Sequence, residues 1–214
     1  MDERYGDSDR AEVRAWVPER ARKILDVGCW RGAFGAALKA ERSAEVWGIE
    51  LEPEPASVAA TRLDRVLVGD ALQIFGELPR EAFDAVCFND VLEHLPRPEL
   101  ALDAVRPILS PNGVLVAAIP NIRYVHEFQR LALGKDFPME DSGIFDRTHL
   151  HFFTKLSIQR FFDQHSYQIH HLVGVNPTLS RKFALLNRLL LNRLEDMRWL
   201  QYVVVAQPKP ASAA

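Results

Sequence analysis

The chain has 214 residues, 48% of them apolar and 26% charged, with a formal net charge of −3 and a pI near 6.2. That length suits one domain with a substantial core, and the mild acidity argues against both a nucleic-acid footprint and disorder. No run approaches the ~18 apolar residues of a membrane span, and the polar start Met1-Asp2-Glu3-Arg4 lacks the apolar core of a secretion signal, so a cytoplasmic location is expected. The first predicted helix covers residues 8–17: Asp7, Ser8 or Asp9 can cap it, Val13, Trp16 and Val17 share a face, and Pro18 limits it. Residues 1–20 thus form a helical extension, read as packing on the first strand in preference to covering a ligand.

The apolar, β-prone run Lys23 to Val27 breaks at Gly28 into a glycine turn, and Ala33 to Ala40 reads as helix. This strand, loop and helix present backbone N–H groups to a ligand. A dinucleotide fingerprint would need glycines where Trp30 and Ala33 stand, and the Gly-Lys-Ser/Thr of a P-loop is missing. The pattern Asp26-x-Gly28-x-x-x-Gly32 resembles instead the first motif of class I S-adenosylmethionine-dependent methyltransferases, and Asp26, Gly28, Trp30 and Gly32 become candidate cofactor residues. Trp30 occupies that family's middle glycine. A bulky residue at positive φ costs roughly 1–2 kcal/mol, so Trp30 is expected to keep negative φ while the chain turns on Gly28 and Gly32. Its indole either roofs the cofactor cleft or packs outward. Cys29 here and Cys87 further on fall in or beside predicted strands and read as buried free thiols.

Ala44 to Glu50 is a second strand ending in a carboxylate that can accept both hydroxyls of an adenosine ribose, against the plain reading of a solvated strand-end Glu50. Pro53 and Pro55 open a helix to about Arg62. Arg65 to Ala71 is a third strand, where the resemblance implies that Asp70 takes the adenine amino group and the Ala71 amide a ring nitrogen. Phe83-Asp84-Ala85-Val86, an apolar strand and then Asp90-Val91-Leu92-Glu93-His94-Leu95 resembles motif IV of the ubiquinone-biosynthesis O-methyltransferase type. Asn89 is assigned to the cofactor's amino-acid or ribose end and Asp90 to the acceptor side, although either could cap the short helix that starts there.

Pro98 to Leu109 is an amphipathic helix, Ser110-Pro111-Asn112-Gly113 a turn, and Val114 to Pro120 a strand expected to be covered on both faces. A helix follows from Asn121 to about Gly134. Residues 135–153 are a long acceptor-side loop. It contains Asp146-Arg147-Thr148-His149-Leu150-His151-Phe152-Phe153-Thr154, which resembles the D-R-T-H-x-R-F-F-T segment of a bacterial methyltransferase subfamily often encoded near glycosyltransferases, with His151 in place of the usual Arg. Thr154 caps the next helix. Tyr167 to Val175 reads as a strand, Leu179 to Leu194 as a helix, Gln201 to Gln207 as a last strand running antiparallel, and 208–214 as a disordered tail.

The resemblance implies an α/β Rossmann-like fold in one domain over 1–214: a seven-stranded, mostly parallel sheet with helices on both faces. It implies S-adenosylmethionine as cofactor and a small-molecule or saccharide acceptor, methylated most directly at oxygen. A hydroxyl acceptor must lose its proton as the bond to carbon forms. His149 leads the candidate bases, with His94 and Asp146 behind it and then His151 and Asp90, because an imidazole titrates near physiological pH. No metal is assigned: a site at His149-x-His151 with Asp146 lacks further spaced ligands. The helix from Leu179 places Phe183, Leu186, Leu190 and Leu194 on one face and Arg181, Lys182, Arg188 and Arg193 elsewhere. That stripe is read as core or the seam of a homodimer ahead of a membrane-surface helix serving a lipid-linked acceptor. The competing functions are a catalytically silent scaffold or regulatory subunit, motivated by Trp30 and His151, and an NAD-dependent oxidoreductase, disfavoured by the glycine spacing.

Overall fold

A computed structural model describes residues 7–210; the polar residues 1–6 and tail residues 211–214 lie outside the described residues. In chain order the elements are α1 (Ala11–Arg14), β1 (Lys23–Val27), α2 (Ala33–Arg42), β2 (Glu45–Glu50), α3 (Pro53–Ala59), β3 (Arg65–Val68), α4 (Ala71–Ile74), β4 (Phe83–Asn89), α5 (Pro98–Val105), β5 (Leu109–Pro120), α6 (Val125–Gly134), α7 (Lys155–Gln164), β6 (Tyr167–Pro177), α8 (Arg181–Leu189) and β7 (Trp199–Pro208). The strands form one sheet in the order β3-β2-β1-β4-β5-β7-β6. Strands β1 to β5 pair in parallel, and β7 runs antiparallel between β5 and β6. The strand order reverses between β1 and β4, and ligands of open α/β sheets bind beyond the strand ends at such a point.

Side chains alternate along β5 into two cores. Leu115, Ala117 and Ile119 join α4, α5 and α7 on one face, while Val114, Val116 and Ala118 join α1, α2 and α3 on the other. This is why β5 reads as a continuous apolar run: both faces are covered. Val13 and Val17 are buried in the second core with Ile24 of β1, so this part of the N-terminal segment packs on the sheet, while Asp7, Ser8 and Arg10 lie on the wall of a cavity beyond the strand ends. Both cysteines are free and buried. Among the described residues, no helix is long and apolar enough to cross a membrane.

Several boundaries differ from expectation for identifiable reasons. Arg10 takes a left-handed conformation, so α1 is a single turn with no side-chain cap. Asn121 does not open a helix: its N–H donates to the Leu200 carbonyl, and its side-chain amide to the carbonyls of Asp196 and Trp199. That ties it to the β7 ladder, and α6 begins four residues later. Ser110 to Gly113 is a bulge inside β5, where the Ser110 hydroxyl donates to Asp84 (3.1 Å). α8 stops at Leu189, short of Leu194. Nor does the tail fray at once: Pro208 ends β7 and the Lys209 N–H donates to the Ser166 carbonyl.

Candidate active site

The turn from β1 into α2 uses left-handed backbone at alternate residues, Gly28 (φ 72°), Trp30 (φ 48°) and Gly32 (φ 78°). A negative φ at Trp30 is therefore overturned. The physical reason lies opposite: the Trp30 N–H donates to Glu50 Oε2 at 2.8 Å. A hydrogen bond to a charged group contributes about 1.5–3 kcal/mol, enough to offset the roughly 1–2 kcal/mol of the left-handed bulky residue. Gly28 tolerates no side chain for a second reason, since a Cβ there would lie 2.6 Å from Val91 Cγ2. The Trp30 indole lines the cavity beside the turn, with the Arg31 guanidinium 5.7 Å from its ring centre.

Glu50, at the tip of β2, is 7% exposed, and its second oxygen accepts from the Glu52 N–H (3.0 Å). Asp26 is buried within β1 and accepts from the Asn89 side-chain amide at 3.3 Å. Burial pushes the Asp26 carboxyl up to about 7; the Glu50 charge adds to this, while Asn89 and Arg10 oppose it. The Asn89 Oδ1 is buried with no hydrogen-bond partner, an acceptor left for a donor outside the chain. Asp90 is left-handed (φ 54°), and its carboxylate accepts from Arg10 and, at 2.6 Å, from the Gln201 side-chain amide. Neither Asn89 nor Asp90 caps the short 3₁₀ turn Leu92–His94.

The long loop folds back onto this turn, as the Leu150 and His151 N–H groups donate to the Glu93 carbonyl (2.8 and 3.1 Å). Asp146 Oδ1 accepts from the Thr148 hydroxyl (2.6 Å) and N–H (2.8 Å). Burial raises the Asp146 carboxyl, but these bonds and the nearby His149 and His94 outweigh it and hold it below the ordinary carboxylate range. It is thus a weak base that shapes the loop. The His149 Nδ1 faces the Ile144 carbonyl (2.9 Å), which can only accept, so Nδ1 carries a proton and, in the neutral ring, Nε2 the lone pair. His94 Nδ1 meets the Thr148 hydroxyl at 3.0 Å, and burial, with His149 beside it, lowers the His94 pKa. The two rings meet edge-on at 4.6 Å.

Glu93 is one of the residues that sequence reasoning missed. Its carboxylate is fully buried, neither oxygen has a hydrogen-bond partner, and burial first, then Asp90, drives its pKa well up. Donor atoms of Glu93, His94 and His149 all lie within 4.8 Å of one another, so among the described residues this trio, not His149 with His151, is the set that could hold a divalent cation. His151 turns away, its Nε2 buried without a hydrogen-bond partner, and it does not line the cavity.

One cavity of about 630 Å³ joins these parts, running from Trp30 and Glu50 past Asp26 and Asn89 to Asp146 and His149. Gly28 and His94 are also on its wall, as are Arg10 and Gln201, which the sequence had not marked. Gly32, the N-cap of α2, is not on the wall, and neither are Asp70 and Ala71. The latter two follow β3, next to β2 at the same sheet edge, where Asp70 caps α4 through the Leu72 N–H (2.8 Å).

The family described as "Methyltransferase domain" matches residues 4–172. Among curated relatives, the ubiquinone biosynthesis O-methyltransferase of Psychrobacter arcticus is 35% identical over 108 residues, covering 47% of this chain and 41% of the relative. That of Pseudomonas aeruginosa is 34% identical over 110 residues, 46% of each. The matched stretch is under half the length of these two relatives. Among solved structures, a SAM dependent methyltransferase from Archaeoglobus fulgidus aligns with a TM-score of 0.67 and 17% identity over 92% of this chain and 91% of that one. The Burkholderia thailandensis 1,6-didemethyltoxoflavin-N1-methyltransferase, solved with 1,6-didemethyltoxoflavin and S-adenosylhomocysteine, aligns with a TM-score of 0.63 and 16% identity over 96% of this chain and 80% of that one. At such identities the structural likeness concerns the fold.

Proposed function

The chain belongs to the methyltransferase-domain family, and from that premise we propose that it moves a methyl group from S-adenosylmethionine to a small-molecule or saccharide acceptor, at oxygen. The observation that carries this reading is the meeting, in one cavity, of the strained glycine turn with the buried Glu50 carboxylate and the unpartnered Asn89 acceptor. These residues fit a cofactor that bears hydroxyls, an amine and a positive charge. S-adenosylmethionine supplies, when bound, an electrophilic methyl on a cationic sulfur.

Glu50 keeps lone pairs for ribose hydroxyls beyond those used by Trp30 and Glu52. Asn89 Oδ1 and Asp26 offer acceptors for an ammonium group, and Asp70 with Ala71 is assigned to the adenine end. Gly28 and the first amides of α2 let backbone approach closely, while Trp30 and the loop around Asp146 exclude water. His149 Nε2 is the atom assigned to take the acceptor's proton, with His94 as its neighbour and Asp146 as the residue that shapes the loop through Thr148. Both curated relatives carry O-methyltransferase in their names, which supports oxygen over nitrogen.

The test is transfer of an isotopically labelled methyl from S-adenosylmethionine across phenolic, catecholic and saccharide acceptors. Product is expected with the wild type, and His149→Ala should lower kcat by about 10²-fold or more while cofactor affinity stays the same. Tight cofactor binding with no turnover on any acceptor would instead favour the silent scaffold.

A further inference from the structure

α8 and the turn after it carry a pattern that the cavity does not use. Between Asn176 and Leu194 the sequence holds four basic residues, Arg181, Lys182, Arg188 and Arg193, and no acidic one. Within the helix only Phe183 and Asn187 are buried: Phe183 clusters with Val125 and Met197, and Asn187 donates to Glu195 at 2.8 Å. The leucines face solvent, Leu179 at 92%, Leu185 at 62%, Leu189 at 71% and Leu191 at 80% exposure, with Leu186 and Leu190 also exposed. Of the expected stripe, Phe183 is buried and Leu194 packs against its cluster, while Leu186 and Leu190 are exposed; with the other four leucines they form an apolar patch, and a patch of this kind marks an interaction surface.

Its chemistry selects the partner. The next acids in sequence, Glu195 and Asp196, pair with Arg198 and Arg123. None of the four basic side chains has an ion pair among the described residues. A two-fold seam would bring the same positive charges together with no acid from this segment to meet them. An anionic lipid surface satisfies both halves, since leucines enter the acyl boundary while Arg and Lys meet the headgroups. We propose that α8 and the leucine-rich turn after it seat this protein on an anionic membrane surface without crossing it.

The seat lies on the functional side. β6 runs in the same direction as β5, each antiparallel to β7, so it exits into α8 at the sheet edge where β1 and β4 end and the cavity lies. The acceptor class that follows is lipid-linked; this half rests on the methyl-transfer reading. α8 lies beyond residue 172, where the family match ends.

The experiment is flotation of the full chain with vesicles of phosphatidylcholine alone and of phosphatidylcholine mixed equally with phosphatidylglycerol. The wild type should float with the anionic vesicles only, and salt should release it. The triple variant Arg181→Ser, Lys182→Ser, Arg188→Ser should bind about a hundredfold more weakly, each charge carrying about fivefold. Leu185→Ser, Leu189→Ser, Leu191→Ser should also lose binding, with circular dichroism and S-adenosylhomocysteine affinity unchanged because these residues are off the cavity. Wild type that ignores anionic vesicles, or a leucine variant that binds them equally well, overturns the proposal. So does a stable dimer that the leucine substitutions dissolve, which would assign the face to a second copy. Flotation without S-adenosylhomocysteine binding would leave the lipid seat standing and sink the methyl-transfer reading.

Discussion

At Trp30 the backbone holds a left-handed conformation that glycine adopts without cost, and the Glu50 carboxylate anchors it there. Replacement should therefore rank unusually: Trp30→Gly should be more stable than Trp30→Ala by about 1 kcal/mol, the reverse of the order at an ordinary site, as read by thermal unfolding. Equal stabilities would mean that the turn does not impose this conformation. Asp26 gives a pH signature. Its folded pKa of about 7 lies above its ordinary 3.8, so the folded protein binds more protons between those values, and stability falls as pH rises through that window. Asp26→Asn should unfold at a higher temperature than wild type at pH 8, by up to roughly 4 kcal/mol of stability, with the gap narrowing towards pH 4. A gap independent of pH would contradict a carboxyl destabilised by burial. Asp26, Gly28 and Glu50 were legible in the sequence because spacing from a glycine turn fixes them. Glu93, Arg10 and Gln201 were not, since their roles arise from contacts across 56 to 191 positions of chain, which no local pattern records; the longest is Arg10 to Gln201.

Elements with one strong period were read well. β1, β4 and the core of β5 are apolar runs bounded by turn residues, and they appear where expected. The errors fall where a distant partner overrides local preference, as at Asn121, which joins β7 in place of starting α6. The pairing of β6 with β7 is another such long-range constraint. A Cβ on Gly174 would lie 2.1 Å from Trp199 Cγ and 2.2 Å from Cδ2, near the rigid base of the indole. Gly174→Ala should cost about 1–3 kcal/mol, seen as a lower melting temperature, with cofactor affinity retained because the residue is away from the cavity. An unchanged melting temperature would mean that β6 and β7 are more loosely packed than described. The α8 stripe was legible as amphipathic, but not that Leu186 and Leu190 on it would be exposed while Phe183 is buried, because periodicity records a face and not what covers it.

For the molecule as a whole, the parallel strands β3, β2, β1 and β4 bring separate stretches of sequence to one edge. The turn after β1, the tip of β2 and the segment after β4 meet there, and the loop before α7 closes over them. This convergence was legible in outline, since each strand tip could be placed at the same edge by topology alone. Which tips reach one cavity was not: Glu50 lies on its wall and Asp70 does not, its carboxylate capping α4 instead. Calorimetric titration of S-adenosylhomocysteine into wild type and Glu50→Ala tests this most directly. Saturable binding by the wild type, weakened about tenfold or more by a lost charge-assisted hydrogen bond, is the predicted result; no binding by the wild type, or equal affinity in the variant, would contradict it.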